Sequence, residues 1–567
     1  MFTKNNMRLA YSAAGSFENN RPINSSNDSF KFQAANSGSD EFNEFNSFDS
    51  SSKKQPAQQQ RQPRKAPAQN RKKPGIDPRM IIAIVAVVAV VFIAVIIAAV
   101  AFSDGNSIKY DDNAYIVYTD AENNYFIALN GEVIDASFES EIFLTEAKDR
   151  SFAYVEEKCE DGWNIYFLNG KEMESVTPYP VDEILDFSEY EPGVVYKDDG
   201  CVYLYTEKKL EQFITDNDGA ANFMISGDGT CVAYNEKDAA NSNKLILNLF
   251  TTGKSSVQIA NLCEPAAISY DGSYVYCYGY TASNQKKLHV IDVDDNNKMT
   301  PISDAAFDRI TAMNAKGDEI IYSTITEAAS FSHIYSVKKN ESFTIAKGYF
   351  EYVAVDPDIA CPSTFKDSYL QNASALEQGS TYYVNRKYAP SKIAEYIGEF
   401  SNDGKYFYFL TSEKTLYEID LKNNNTSTRI LPKVEDFELT QKGNLYILDE
   451  KFTLKYRNCS DKTNEPVAQD VAEISMYDHS NTLYFVKNDS VAVYSTKEAS
   501  TPETVEFDGA AITGIPLFKY NNNAKTYAFL YDADIGWKIF YTRNGKSFKH
   551  IATAEDIDNG SYTDVAE

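Results

Sequence analysis

Hydrophobic and polar positions follow two different rhythms along this chain. From Met80 to Phe102 the sequence runs MIIAIVAVVAVVFIAVIIAAVAF, 23 residues without a charged or polar side chain. At about 1.5 Å per residue a helix of this length reaches roughly 34 Å, enough to cross a bilayer core with some tilt. Val and Ile favour strand in water, but lipid offers no partner to open backbone groups, so helix is expected here. Beyond residue 102 the apolar positions alternate with polar ones over short runs. Examples are Tyr274-Val-Tyr-Cys-Tyr278, Lys405-Tyr-Phe-Tyr-Phe-Leu410 and Leu483-Tyr-Phe-Val486. Period-two alternation of this kind predicts strands with one face buried.

The strands recur on a common plan, each apolar strand ending in a polar turn. The clearest turns are Ser226-Gly227-Asp228-Gly229, Ser269-Tyr270-Asp271-Gly272 and Ser401-Asn402-Asp403-Gly404. Looser versions are Asn314-Ala315-Lys316-Gly317 and Thr440-Gln441-Lys442-Gly443. Successive turn glycines lie 43, 45, 87 and 39 residues apart, and 87 is about twice the others. One degenerate unit is therefore expected near residue 360. Its outer hairpin is recovered in Thr381-Tyr-Tyr-Val and Ser391 to Tyr396, with an insertion from Pro362 to Gly379. Further turns near Asp112-Asn113, Asp149-Arg150, Pro192-Gly193, Asp478-His479 and Asn521-Asn522-Asn523 extend the series to about eleven units. Asn130-Gly131, Asn169-Gly170 and Asn544-Gly545 supply the positive φ of outer hairpins. Both tryptophans sit at one place in the repeat, in Gly162-Trp163-Asn-Ile-Tyr-Phe and Gly536-Trp537-Lys-Ile-Phe-Tyr. A shared position of that kind points to a structural role.

Four strands in about 41 residues, repeated, describe a β-propeller blade. The S-x-D-G pattern followed by a Tyr-bearing strand resembles the WD40-like repeats of TolB-type and prolyl-oligopeptidase-type propellers. The resemblance covers roughly Asp112 to Ala554 and implies an all-β fold. Rings commonly hold four to eight blades. Eleven units therefore predict tandem β-propellers, 103–349 and 350–567, with one large ring as the alternative. They follow a tail at 1–79 and a transmembrane helix at 80–102.

Charge adds topology. The first 79 residues carry 13 Lys and Arg against 7 Asp and Glu, whereas residues 103–567 carry 41 against 75. Basic flanks stay inside, so the reading is a signal-anchor, single-pass protein of the cell membrane with residues 1–79 cytoplasmic and 103–567 extracytoplasmic. A net charge of −34 on the outer part argues against nucleic acid as a partner. The tail is Asn, Ser, Gln, Pro and Lys in place of a core and is expected to be disordered. Its spaced Phe17, Phe30, Phe32, Phe42, Phe45 and Phe48 could dock a cytoplasmic partner. Richness in Asn, Lys and Tyr fits a bacterium of low genomic GC.

Candidate chemistry is sparse. The prolyl-oligopeptidase resemblance would imply a G-x-S-x-G nucleophile elbow, and the chain has none. The four histidines, His289, His333, His479 and His550, form no HxH or HExxH pair. Asp292 to Asn297 and Asp216 to Gly219 look only loosely like calcium loops, without the full ligand series. The seven cysteines are widely and irregularly spaced, with no CxxC, and read mostly as small core residues. Propeller glycosidases use paired carboxylates from different blades, and the sequence nominates no such pair. No catalytic, cofactor or metal residue is therefore expected. The favoured function is a non-catalytic, membrane-anchored propeller that binds a protein, peptide or glycan ligand. A transmembrane sensor and a propeller-type glycosidase or lyase are the alternatives. The insertion Pro362–Gly379 is the expected contact surface.

Overall fold

In each repeat a first strand runs to a tight turn, and a second, tyrosine-bearing strand returns beside it. The turn chemistry explains the sequence pattern. In Ser226–Gly229 the Asp228 carboxylate accepts from the Ser226 hydroxyl at 2.6 Å and from the Thr230 amide at 3.0 Å. The Ser226 oxygen accepts from the Cys231 amide at 2.9 Å, and Gly229 sits at φ +70°. Ser269, Asp271 and Gly272 repeat this, as do Ser401, Asp403 and Gly404. Serine and aspartate thus satisfy the turn's amides while glycine supplies the left-handed residue.

The computed structural model describes residues 107–558, apart from 112, 208, 216–218, 239–240, 282–284, 327–328, 354–358, 375–377, 397, 402, 424–425, 441, 477–481, 489, 496–501, 508–509, 513–514, 521–525 and 544–547. The expected tail, the expected transmembrane helix, and the turns at 478–479, 521–523 and 544–545 lie outside them. Among the described residues no helix is long and apolar enough to cross a membrane.

Eleven four-stranded antiparallel sheets follow one another as the blades of a propeller. We letter the strands of each blade a to d, from the inside outward. Blades 2 to 11 occupy 142–175, 183–214, 221–261, 263–301, 306–347, 350–394, 398–432, 434–468, 471–504 and 517–554. Blade 1 takes strands b to d from Tyr115–Thr119, Tyr125–Leu129 and Glu132–Phe138. Its strand a comes from the other end of the chain, Asp556–Asp558, with Ile557 opposite Tyr118. The described residues belong to one compact unit.

Apolar clusters fill the seams between neighbouring blades. The seam of blades 11 and 1 holds Ile116, Tyr118, Phe529, Ile539 and Ile557. Each blade interior presents a buried tyrosine on or near strand b, and several of these stitch one blade to the next. The Tyr154 hydroxyl binds the Gly193 amide at 2.6 Å, the Tyr276 hydroxyl donates to the Gly317 carbonyl at 2.6 Å, and the Gly131 amide donates to Tyr527 at 2.7 Å.

Packing continues across residue 350, the boundary of the tandem expectation. Ile321, Ile334 and Ile345 of blade 6 share a cluster with Phe350 and Leu370 of blade 7, and Tyr369 packs on with Phe400 and Phe407 of blade 8. One strand closes all eleven blades. The Pro362–Gly379 reading is corrected. That stretch contains strand b of blade 7, Ser368–Asn372, with Tyr369 and Leu370 buried, so its middle is blade rather than insertion. The added element precedes it: Ile359–Cys361 pairs with a leading strand, Ile108–Lys109.

Candidate ligand-binding face

Strand direction gives the propeller two unlike faces. Strand a ends where b begins, and c ends where d begins, so a–b and c–d turns share one face; b–c turns and d–a crossings share the other. Asp111, Asn113 and Ala114 lie on the a–b face. The Asp111 amide donates to the Asp149 carbonyl at 2.5 Å, and the Asn130 amide to the Ala114 carbonyl at 3.1 Å.

On the a–b face the turns are linked from blade to blade. Lys148 donates to the Glu189 carbonyl, Glu191 to Gly227, Asp228 to Tyr270 and Ala315 to Pro362, all through backbone amides at 2.8–3.0 Å. Pairing of Ile108 with Cys361 returns the line to its start. Tyr190 and Tyr270, from blades 3 and 5, lean together with ring centroids 5.8 Å apart. Gly227 lies between them, where a Cβ would come within 2.8 Å of one ring and 2.9 Å of the other. The Cys361 thiol donates to the Met313 carbonyl at 3.4 Å; burial first, then Cys361 and Glu189, push the Tyr190 hydroxyl far above its ordinary range. Between blades 2 and 7 the described part of this face is therefore taken up by the chain's own backbone and tyrosines.

The other face is different. Tyr179, Leu262, Tyr280, Phe452, Tyr531 and Ile535 all lie on its turns and crossings, with Tyr179 76% and Tyr531 66% exposed. The remaining exposed apolar side chains near the a–b face, such as Val133, Leu210, Val257 and Met299, belong to outermost strands. A groove of about 440 Å³ opens on this face at blade 11. Ile512, Ile515, Pro516 and Leu517 form one side, and Tyr531, Trp537 and Lys538 the other. The Tyr531 ring stands edge-on to Trp537 with centroids 5.2 Å apart. Lys538 is held by Asp532 at 3.1 Å.

Both glycine–tryptophan pairs have a local cause. Behind Gly162 (φ +142°) a Cβ would lie 2.2 Å from the Val181 carbonyl, and behind Gly536 (φ +82°) 2.5 Å from the Ala554 carbonyl. At both places the chain crossing to the next strand a passes against the start of strand c. Trp163 packs into the seam of blades 2 and 3, 6.0 Å from Phe143. Trp537 packs in the seam of blades 11 and 1 and also lines the groove, a second role that its place in the repeat did not reveal.

Inner strands carry carboxylates, and protein groups engage them. Asp186 accepts from the Ile225 amide of the next blade at 2.9 Å and from the Phe187 amide at 2.9 Å. Burial pushes its carboxyl up to about 7 against the pull of those amides. Glu264 accepts from the Tyr278 hydroxyl at 2.9 Å, and Asp308 from the Ser323 hydroxyl at 3.1 Å.

The described histidines sit apart on separate blades. His289 binds the Lys287 carbonyl, and His333 bridges Thr324 and Thr344 while stacked on Tyr322. Burial lowers the His333 imidazole to about 4, so it stays neutral near pH 7. His550 rests edge-on to Phe540, and His479 lies outside the described residues. The Asp292 and Asp295 oxygens are used within their own turn, by the Asp295 amide and by Lys298. Among the described residues no cluster of three metal-ligating side chains occurs. All seven cysteines are free thiols; Cys231, Cys263 and Cys277 share one buried cluster.

No protein-family profile matches the chain, and no curated protein matches it. Among solved structures it is similar to TolB from Acinetobacter baumannii, at 12% identity over 42% of this chain and 64% of that one, with a TM-score of 0.26. It is similar to the tricorn protease at 8% identity over 79% of this chain and 62% of that one, with a TM-score of 0.26. It is also similar to oligogalacturonate lyase from Vibrio parahaemolyticus at 8% identity, over 63% and 97%, with a TM-score of 0.29. The chain thus spans less than two thirds of the first two. The fold assignment rests on the sheet pairings above.

Proposed function

We propose that this chain is a non-catalytic, single-pass membrane-anchored propeller whose body lies outside the cytoplasm and binds a protein, peptide or glycan on its b–c face. The charge division around the apolar stretch supports the topology: basic flanks precede 80–102 and the acidic body follows it. The exposed aromatic side chains and the groove, gathered on the b–c face, support the choice of face.

Impermeant lysine labelling of intact cells expressing the full chain tests the topology. Peptides carrying Lys254 and Lys338 should be modified while those carrying Lys53, Lys54 and Lys65 are spared. Modification of the tail lysines with protection of the body would overturn the reading.

A further inference from the structure

We propose that the groove at blade 11 docks an extended polypeptide segment that presents an aliphatic or aromatic side chain flanked by Lys or Arg. The orientation of this face rests on the function proposed above; the chemistry of the groove does not. Ile512, Ile515, Pro516, Leu517, Tyr531 and Trp537 give it an apolar lining, and Asp532 and Lys538 give it a polar part of similar extent. A side chain entering between the apolar residues removes apolar surface from water and gains ring contacts.

The rim is acidic. Asp532 and Asp534 stand in the adjoining b–c turn, and Glu555 and Asp556 continue from Ala554, which pairs with Trp537. The one cation of the lining, Lys538, is already bound to Asp532. The described b–c turns elsewhere on this face carry Asp120, Glu160, Asp161, Asp198 and Glu413 against Lys451, and Lys158, Lys414 and Lys433 are each held in an ion pair with a glutamate, the last with Glu450. A partly apolar slot with an acidic border selects a partner that is apolar at its centre and cationic beside it. An anionic polysaccharide would meet like charge at Asp534, Glu555 and Asp556.

The test uses the full chain in detergent micelles carrying Trp163→Phe, which leaves Trp537 as the single tryptophan. Three matched ten-residue peptides serve as probes: one with a leucine–tyrosine centre and lysine flanks, one with the lysines changed to glutamate, and one with the centre changed to serine. Only the first should shift the Trp537 emission, at micromolar concentration. Tyr531→Ser, a change at an exposed ring, should weaken it at least about tenfold. Asp534→Lys, or 0.5 M salt, should weaken it several-fold by screening or reversing the rim charge. The proposal fails if the glutamate peptide or a neutral oligosaccharide binds as well. It fails if Tyr531→Ser leaves the affinity unchanged, which would mark mere attraction to an acidic body. It fails too if no probe shifts the emission at millimolar concentration. Emission of Trp537 reports the groove on whichever side of a membrane the body lies, so a failure here is separate from a failure of the topology.

Discussion

Closure of the propeller by its last strand makes a sharp prediction about Ile557. This side chain is 9% exposed and packs with Ile116, Tyr118, Phe529 and Ile539 in the seam between blade 11 and blade 1. It lies opposite Tyr118 in a strand of three residues, and the Glu555 amide just before it donates to the Thr119 carbonyl at 2.9 Å. Ile557→Ala removes buried methyl groups and leaves a void, at about 2–3 kcal/mol if the short strand relaxes partly. That loss should appear locally, as release of the closing strand. Hydrogen exchange of the Val117, Tyr118 and Thr119 amides is the assay, because one global unfolding energy is poorly defined for a long repeat array. At about 1.4 kcal/mol per tenfold, exchange should quicken roughly 30- to 150-fold in blade 1. Blade 5 should be unmoved. Ile535→Ala, at an exposed turn position in blade 11, should change exchange by less than about threefold. Unchanged protection in blade 1 of the Ile557→Ala protein would refute closure by this strand.

Other consequences follow from the seams and turns. Tyr276→Phe strips the Gly317 carbonyl of a buried donor and should cost about 1–2 kcal/mol in a denaturant midpoint; Tyr115→Phe, whose hydroxyl has no hydrogen-bond partner among the described residues, should be neutral or stabilising. Gly272→Ala meets both a φ of +72° and the Cys231 sulfur at 2.6 Å. It should lower stability by about 2 kcal/mol or more, and adding Cys231→Ala should recover only part of that loss, because the Cβ that remains at 231 still lies 2.8 Å away and the backbone strain of roughly 1 kcal/mol persists. Burial opposes ionisation of Asp271 and Asp403, but hydrogen bonds from Ser273 and Ser269 to the first, and from Lys405 and Ser401 to the second, outweigh it and hold both carboxyls below the usual range. A depressed folded value gives stability that is complete above the unfolded value near about 4 and is lost as pH falls through the folded one. Melting between pH 5 and 2 should therefore fall less steeply in Asp271→Asn than in the parent.

Blade number was readable from the chain because each blade's turn is local chemistry: a Ser–Asp pair and a glycine within four residues specify it wherever they occur. Blade 7 was obscured for the same reason. Its a–b connection lacks that signature and is held by distant groups, with Glu319 of blade 6 accepting from the Thr364 hydroxyl at 2.7 Å and the Phe365 amide at 2.8 Å. Without the turn, Ser368–Asn372 looked like inserted sequence. Closure was illegible too. Asp556–Asp558 has one apolar residue, and its partner is at the other end of the chain, so no local pattern marks it as a strand. The groove could not be read from the sequence because membership of a face depends on strand direction and on which blades become neighbours. Tyr531 and Ile512 are ordinary strand and connector residues until blades 10 and 11 pack.

The leading strand changes what eleven blades mean for an anchored protein. Pairing of Ile108–Lys109 with Ile359–Cys361 brings this leading strand to blade 7, past six seams, while amide-to-carbonyl links join the turns of blades 2 to 5 and those of blades 6 and 7. Tyr190, Tyr270 and Cys361 pack against that line. The residues nearest the apolar stretch join the body through that short pair and through the Asp111 amide, which donates to the Asp149 carbonyl. If 80–102 spans a bilayer, tension on the anchor falls first on these few backbone hydrogen bonds, ahead of any blade.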